Sequence, residues 1–362
     1  MKLLKKIFVL LLLFVLGCQE KQTPVAPEVV QNVNISVEPA SFDSLFLSID
    51  TVTLAPDKSF SEFPLDVRAA RKSGQDWIAI DAASTSIRIF GMDGEERRSF
   101  GREGSGPVEF GSPEWVDVLP SGSIVIRDGA PNFTYHVLSS DGQPVRAVPI
   151  GAFGPFTDSF IYGNAFATVT RAQCTGDVDS DFCTIMLVDQ DTGDVIRSIV
   201  GEDQIEPGFK GLPFVAALDP SDDSFWVAHR RGRNLVHVDS NGKELWRWAL
   251  NDIPGMDPID MAALPSDQAA RVEASSKQTR TFIRRMHVID KYLLIETGWM
   301  GPDRDERPLR TLTVIDTASN KVYSGLHPRG TILDTNGKMV TFLQDSADDT
   351  TVFETYELSL KH

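Results

Sequence analysis

Residues 77–101 read WIAIDAASTSIRIFGMDGEERRSFG. A short apolar segment ends at Asp81, a loop follows, and residues 86–90 alternate in polarity before an Asp93-Gly94 pair leads into a further segment. Alternation with a period of two, joined by Asp-Gly, is the sequence signal of antiparallel strands connected by a tight hairpin. The stretch therefore predicts three consecutive strands of one sheet.

The same pattern recurs five more times along the chain. Two copies are close matches, at residues 124–142 and 225–248, and three are looser, at residues 167–193, 293–320 and 340–358. A repeat of about 45 residues that supplies four strands is typical of a β-propeller blade. The six copies predict an all-β fold, a six-bladed β-propeller.

The predicted propeller domain spans residues 42–362 and must close into a ring. The alternating segment Leu45–Leu54 belongs to no blade, and the last blade runs out of chain near Leu360, after its third strand. Because an open ring would leave unpaired strand edges, we expect the N-terminal strand to supply the missing outer strand of blade six.

The first residues have the features of an export signal. Lys2, Lys5 and Lys6 precede an apolar run, Ile7–Leu16. This run is shorter than the roughly 20 residues that span a bilayer, so it is interpreted as the apolar region of a cleaved signal peptide.

The apolar run ends in Val-Leu-Gly-Cys at residues 15–18, which resembles the lipobox of bacterial lipoproteins. The resemblance implies a signal peptide over residues 1–17, lipidation of Cys18 and a membrane-anchored tether over residues 18–41. Gln19 implies, by the same resemblance, sorting to the outer membrane of the cell envelope, with the protein facing the periplasm or the cell surface. A plain secretory signal with an incidental cysteine is the alternative.

The protein is strongly acidic. Its formal charge is −16, and cleavage after residue 17 removes three lysines and no acids, so the mature chain carries −19. Such a charge repels phosphate backbones. Nucleic acid is therefore excluded as a general partner.

Residues 100–110, FGREGSGPVEF, followed by Pro113, resemble the NHL repeat, in which a glycine-rich loop ending in Glu-Phe joins two blades. Arg127-Asp128 and Asn132 match the positions around the inner hairpin of that repeat. The whole chain resembles six-bladed propeller lipoproteins related to NHL-repeat and TolB-like propellers. This resemblance implies a fold and no particular chemistry.

Long insertions into the repeat fall on one face of the predicted ring. When the strands of a blade are lettered a to d from the axis outward, the b–c loops and the connections between blades share a face. Residues 172–183 and 297–308 lengthen two b–c loops, and residues 251–280 lengthen the connection after blade four, where residues 266–279 favour a short helical insertion before blade five. Extra loops on one face of a repeat array are typical of a binding face, although insertions also accumulate where they do no harm.

The predicted b strands each end in one polar side chain at the mouth of the channel: Asp81, Asp128, Arg171, His229, Glu296 and Gln344. The adjoining loops add an arginine collar and two aromatic surfaces: Arg102, Arg127, Arg230, Arg231, Arg233, Arg304, Arg307, Trp299 and Phe133. Guanidinium groups bind carboxylate or phosphate through two parallel hydrogen bonds. We therefore interpret the protein as a binding module for a peptide, a glycan or an envelope protein. Its predicted ligand-binding residues are Asp81, Arg127, Asp128, Arg171, His229, Arg230, Glu296 and Trp299.

Three alternatives remain open at this stage, the first of which is a structural subunit of a larger envelope complex. The arginines can simply pair with nearby acids while Asp81 and Asp128 hold their b–c turns. By resemblance to gluconolactonase-like hydrolases and NHL-type lyases, Asp81, Asp128, His229 and Glu296 can instead hold a divalent cation that activates water, which would make the protein a hydrolase or lyase. No nucleophile-elbow, metalloprotease or nucleotide-binding motif occurs, so we assign no catalytic residue.

Two cysteines remain after lipidation of Cys18. Cys174 and Cys183 flank one b–c loop, and in an oxidising compartment this arrangement predicts a disulfide. Two free thiols are the alternative.

Overall fold

The computed structural model describes residues 36–38, 40–56, 65–150, 157–173, 182–205, 213–253, 256, 280–300, 310–326, 330–345 and 350–359. Their strands form six sheets, each with four antiparallel strands and one extended by a short fifth strand. These sheets are the blades of a six-bladed β-propeller, which confirms the predicted fold class. No helix among these residues is long and apolar enough to cross a membrane. The predicted signal peptide, Cys18 and the helical insertion at residues 266–279 lie outside the described part of the chain.

In blades one to five the strands follow one another from the axis outward in chain order. The bounds in blades one and two are Val67–Ser73, Asp76–Asp81, Ser86–Gly91 and Glu96–Phe100, then Pro113–Val118, Ile124–Asp128, Thr134–Leu138 and Pro144–Pro149. Those in blades three and four are Asp158–Tyr162, Ala165–Gln173, Phe182–Asp189 and Val195–Gly201, then Phe214–Asp219, Ser224–His229, Asn234–Val238 and Glu244–Ala249. Those in blade five are Arg280–Ile289, Tyr292–Met300, Thr311–Asp316 and Lys321–Leu326.

Blade six is assembled from both ends of the propeller domain. Its inner strands are Thr331–Asn336, Met339–Asp345 and Thr351–Leu358, and the N-terminal strand Phe46–Thr53 pairs antiparallel with the last of them. The predicted closure by an N-terminal strand is therefore confirmed. The strand begins one residue later than expected because Leu45 belongs to a short helix, Phe42–Leu45.

The b strands are buried along nearly their whole length. Every residue of Ile124–Asp128 and of Ser224–His229 is buried. Each b strand lies in the middle of its sheet and is covered on both faces by neighbouring blades, so it consists of a continuous apolar run rather than an alternating one. The clusters between blades, for example Ile80 and Ile87 of blade one with Val116 and Ile126 of blade two, form the core.

In blades one to four, the glycine of the c–d turn packs the blade against the one before it. Gly94 has a φ of +81°, and a Cβ there would lie 2.0 Å from the carbonyl oxygen of Thr53 in blade six. Gly242 repeats this arrangement against Ile199 of blade three, at 1.9 Å. Only glycine fits both the left-handed turn and the close backbone approach. The Asp-Gly and Asn-Gly pairs of the repeat thus determine hairpin geometry and blade packing together.

The six innermost strands surround a central channel, because each contacts the next and the sixth contacts the first. Arg71, on the innermost strand of blade one, links that strand to the innermost strands of blades two and six. Its Nε lies 3.0 Å from Asp117 Oδ1 of blade two, and its Nη1 lies 2.5 Å from Asp334 Oδ1 of blade six. The two ion pairs link the innermost strands of blades six, one and two.

The remaining described elements are short. They are the helix Glu202–Ile205, the 3-10 turn Leu250–Asp252, a parallel pair formed by Arg102–Glu103 with Glu109–Phe110, and Ser36–Val37. Ser36–Val37 pairs in parallel with the outer strand of blade five. The last part of the predicted tether therefore contacts the propeller.

Candidate functional site

Asp81 ends the b strand of blade one and is fully buried. Its carboxylate accepts hydrogen bonds from the backbone amides of Asp66 and Ala83, both at 3.1 Å, and from Ser84 Oγ at 2.6 Å. Arg88 Nη2 lies 2.7 Å from Oδ2, the oxygen that also accepts from Ser84, and Arg88 Nη1 lies 3.2 Å from Glu96 Oε2. The carboxylate is therefore engaged in holding the b–c turn, as one of the alternatives drawn from the sequence expects.

Asp128 occupies the equivalent position in blade two and is likewise fully buried. It accepts hydrogen bonds from the amides of Gly111, at 2.8 Å, and Ser112, at 2.6 Å, and from Asn132 Nδ2 at 2.7 Å. Burial raises the pKa of this carboxyl, but the His136 imidazole, whose Nε2 lies 3.8 Å from Asp128 Oδ2, and the hydrogen bonds from these amides outweigh burial and lower it overall. Asp128 thus anchors the glycine-rich loop that carries the resemblance to the NHL repeat.

Arg127 points from blade two towards blade three. It is 2% exposed, donates to Ser159 Oγ at 2.9 Å and pairs with Glu114 at 3.1 Å. Tyr135 reaches the same serine hydroxyl at 2.8 Å. The guanidinium group is held in one place by these partners, at the edge of the channel.

His229 ends the b strand of blade four and is fully buried. Burial, followed by the charges of Arg231 and Arg230, lowers its pKa to about 3. The ring is therefore neutral at pH 7. Its Nδ1 accepts a hydrogen bond from the backbone amide of Arg231 at 3.1 Å, which places the ring proton on Nε2.

Glu296 lies within the b strand of blade five, which continues past the predicted end to Met300. Its side chain is fully buried, accepts a hydrogen bond from the Ile332 amide at 3.3 Å and faces Arg284 Nε at 3.5 Å. The strand is longer than expected because the first residues of the insertion pair with the innermost strand of the blade, from Thr297–Ile283 to Met300–Arg280.

A cluster of arginines converges on the channel mouth from blades four and five, and sequence reasoning found only Arg230 among them. Burial and the nearby Arg285 lower the pKa of Arg230, which Asp158 opposes. Burial also lowers the pKa of Arg284, where Glu296 opposes and the charges of Arg310, Arg285 and Arg230 add to the effect. We refer to Arg230, Arg284, Arg285 and Arg310 as the arginine cluster.

Two members of the cluster, Arg285 and Arg310, donate hydrogen bonds to uncharged groups. Arg285 donates to the carbonyl oxygens of Ile332, at 2.6 Å, and Arg68, at 3.4 Å, and Arg310 donates to Thr331 Oγ1. All three acceptors are neutral. Within the described ranges, neither arginine has a carboxylate within ion-pair distance.

The sequence contained a signal for the missed members. Arg284 and Arg285 lie between the apolar residues Ile283 and Met286 in the innermost strand Arg280–Ile289. The residues predicted at the channel mouth all lie at b-strand ends or in loops, and none lies in the first strand of a blade. Charged residues in the first strand of a repeat would have identified them, because that strand lines the channel.

For two of the predicted ligand-binding residues, the structure describes only the backbone. Arg171 and Trp299 lie in b strands, but their side chains are outside the described part of the structure, as are Cys174, Arg304 and Arg307. Arg102 lies away from the channel, exposed and paired with Glu109 at 2.5 Å. Cys183 is fully buried in its strand, and its pairing with Cys174 remains a prediction.

No protein-family profile and no curated protein matches the chain. Solved structures do resemble it. A Bacteroides fragilis protein described as exported has a TM-score of 0.63 and 11% identity, covering 90% of this chain and 100% of its own. A member of the DUF4221 family from Bacteroides vulgatus has a TM-score of 0.58 and 11% identity, covering 86% and 97%.

Virginiamycin B lyase from Staphylococcus aureus is a weaker match, with a TM-score of 0.47 and 9% identity over 86% of this chain and 99% of its own. No argument rests on it. At identities near 11%, the two Bacteroides proteins share the fold with this chain, and the comparison extends no further. The chain is a six-bladed β-propeller with an arginine-rich channel mouth.

Proposed function

We propose that the protein is a lipid-anchored propeller of the cell envelope, in the outer membrane, that binds a carboxylate- or phosphate-bearing ligand at its channel mouth. The ligand is part of a peptide, a glycan or an envelope protein. The face concerned carries the long b–c loops and the long connection after blade four. The predicted disulfide between Cys174 and Cys183 would close one of those loops.

The arginine cluster is the observation that carries this proposal. Among the described residues, its four guanidinium groups face two carboxylates, those of Asp158 and Glu296. Like charges held together in a partly buried site are unfavourable unless an anion joins them. An excess of positive charge at one point of a chain with net charge −16 therefore favours an anionic ligand.

The chemistry of arginine supports the same class of ligand. A guanidinium group offers a planar fork of donors that matches carboxylate and phosphate. Each hydrogen bond to a charged group contributes about 1.5–3 kcal/mol, and the channel walls reduce screening by water. Binding should therefore weaken at high salt, because part of the attraction is long-ranged.

The experiment measures binding of two probes that share carboxylates but differ in backbone, hexaglutamate and hexagalacturonate, by isothermal titration calorimetry at 50 mM salt. The test variant carries Arg285→Gln and Arg310→Gln. The control is Arg97→Gln, since Arg97 is 54% exposed on the outer strand of blade one and pairs with Asp93. Melting temperatures verify that all three proteins are folded.

We expect at least one probe to bind the unmodified protein, and the double variant to bind it at least about ten-fold more weakly, which corresponds to the loss of about 1.4 kcal/mol. The control should bind as the unmodified protein does. Equal affinity of the double variant, or no binding of either probe, would contradict the proposal.

The alternative, a hydrolase or lyase with a divalent metal in the channel, finds less support in this geometry. Asp81 and Asp128 direct their oxygens at turn amides, a serine and an asparagine. His229 is neutral and so able to ligate, but the charges of Arg230 and Arg231 that lower its pKa also oppose a dication. A stoichiometric metal that is lost in a His229→Asn variant would restore the enzyme interpretation.

A further inference from the structure

A cavity of about 410 Å³ lies between blades four and five. Its walls include the a–b turn of blade four, the a–b turn of blade five at Asp290 and Lys291, and the exposed strand residue Leu245. Since a–b turns lie opposite the b–c loops, this cavity is on the other face of the propeller from the arginine cluster. It is therefore independent of the proposed ligand site.

Three metal-ligating side chains meet at this cavity. One ligand atom each from Asp219, Asp222 and His237 lies within 4.8 Å of the others. Ions of the zinc type bind oxygen and nitrogen at roughly 2.0–2.2 Å, so their ligand atoms lie about 3–4 Å apart. Small side-chain rotations would bring these three atoms into that range.

The two carboxylates are positioned by the turn and retain free acceptor capacity. Asp219 Oδ1 accepts hydrogen bonds from the amide and the hydroxyl of Ser221, at 3.0 and 2.6 Å, and Asp222 Oδ1 accepts one from the Ser224 amide at 3.1 Å. In the described part of the chain the second oxygen of each carboxylate has no hydrogen bond. The neighbouring Lys291 does not neutralise them, because its Nζ pairs with Asp316 at 2.9 Å.

His237 is fixed beside these carboxylates. Its Nε2 lies 2.6 Å from Ser224 Oγ, and its ring stacks on Trp226 with centroids 4.1 Å apart and planes 4° from parallel. Burial lowers the pKa of His237, although Asp222 and Asp219 oppose the shift. The lowered pKa favours the neutral ring, which is the form that ligates a metal. A hydroxyl that orients a ligating imidazole is typical of metal sites.

Trp226 forms part of the cavity wall beside the three ligands. It is 1% exposed, and the face of its ring packs on the His237 imidazole. This contact restricts the orientation of the imidazole next to the two carboxylates.

We propose that Asp219, Asp222 and His237 form a site for one divalent transition-metal ion of the Zn²⁺ class, with an open coordination position facing the cavity. Two carboxylates and a neutral imidazole give the ion three protein ligands, the number typical of sites that keep a position for water or substrate. The carboxylates supply the compensating negative charge, as a dication requires.

The test is a titration of the metal-free protein with Zn²⁺, followed by calorimetry and by tryptophan fluorescence. The fluorescence should report on the site because Trp226 stacks on His237 and Trp246 lies edge-on to both, with centroids 6.3 and 6.2 Å away. We expect one ion per chain with a fluorescence change that saturates at one equivalent. Replacement of Zn²⁺ by Co²⁺ adds a visible absorption band that reports the ligand geometry directly.

The principal variant is Asp222→Asn, in which the remaining amide oxygen can still accept the hydrogen bond from Ser224. We expect it to bind Zn²⁺ at least about ten-fold more weakly, the loss that even outer-shell changes produce. The matched control is Asp290→Asn, since Asp290 lines the same cavity outside the triad, and it should bind Zn²⁺ normally. A melting curve of Asp222→Asn verifies that it is folded.

Failure of the unmodified protein to bind Zn²⁺, or equal binding by Asp222→Asn, would overturn this proposal. An equal loss in Asp222→Asn and Asp290→Asn would also overturn it, because general electrostatic attraction would then explain the binding. Anion binding at the channel mouth should be the same in all three proteins. The two proposals can therefore fail separately.

Discussion

Replacement of His229 by asparagine should make the stability of the protein less dependent on pH. The imidazole is fully buried, and burial together with Arg231 and Arg230 lowers its pKa to about 3. In the unfolded chain its pKa returns to about 6.5. Between these values the unfolded state binds a proton that the folded state does not, so stability falls as the pH is lowered from 6.5 towards 3.

The magnitude follows from the distance between the working pH and the unfolded pKa. Each pH unit below 6.5 lowers the free energy of unfolding by about 1.4 kcal/mol, as long as the pH stays above the pKa of His229 in the folded protein. Lowering the pH from 7 to 5 should therefore cost about 2 kcal/mol through His229 alone. Asparagine does not titrate, and its side-chain oxygen can replace Nδ1 as acceptor for the Arg231 amide.

The assay is urea denaturation of both proteins at pH 7 and pH 5, with the free energy of unfolding extrapolated to water. From pH 7 to pH 5, the free energy of unfolding of the unmodified protein should fall by about 2 kcal/mol more than that of the variant. Other titrating groups cancel in this comparison. They include His287, whose pKa is lowered in the same way, and Asp117, Asp158 and Asp334, whose pKa values burial raises and which act in the opposite sense.

An identical pH dependence of the two proteins would refute the reasoning. It would mean that the imidazole of His229 is solvated or paired with an acid, so that its pKa is near 6.5 in the folded state as well. A loss of stability in the variant that is equal at both pH values would show a packing defect and leave no role for titration.

Asp128→Ala should lower the free energy of unfolding by about 2–4 kcal/mol, because the amides of Gly111 and Ser112 lose their buried acceptor. The control is Asp141→Ala, in an exposed hairpin, and an equal effect of the two substitutions would contradict the prediction. Arg88→Met should lower the free energy of unfolding by about 3–5 kcal/mol, because it leaves Asp81 without its buried partner. Urea denaturation measures this change, and a decrease of less than about 1 kcal/mol would show that the ion pair is dispensable. Cys18→Ser should move the protein from the membrane fraction to the soluble envelope fraction, because the thiol that would carry the lipid is absent; unchanged fractionation would contradict lipid anchoring.

The fold was largely predictable from local sequence. Alternation and Asp-Gly turns identified the strands of each blade, and the unassigned strand at residues 45–54 predicted ring closure because a propeller cannot leave edges open. The ends of the b strands were predicted at the right residue for Asp81, Asp128 and His229. They were predicted too early in blades three and five, where the insertions continue the strand ladder to Gln173 and Met300.

The candidate sites depended much more on tertiary structure. The sequence by itself determined the repeat, the turn glycines and the excess of arginine, since these depend on neighbours a few residues apart. Only the folded ring decided that Arg230 meets Arg284 and that Arg71 pairs with Asp334, 263 residues away. The reason is that blade packing brings together innermost strands from distant parts of the chain, and no local pattern specifies which charges then face each other.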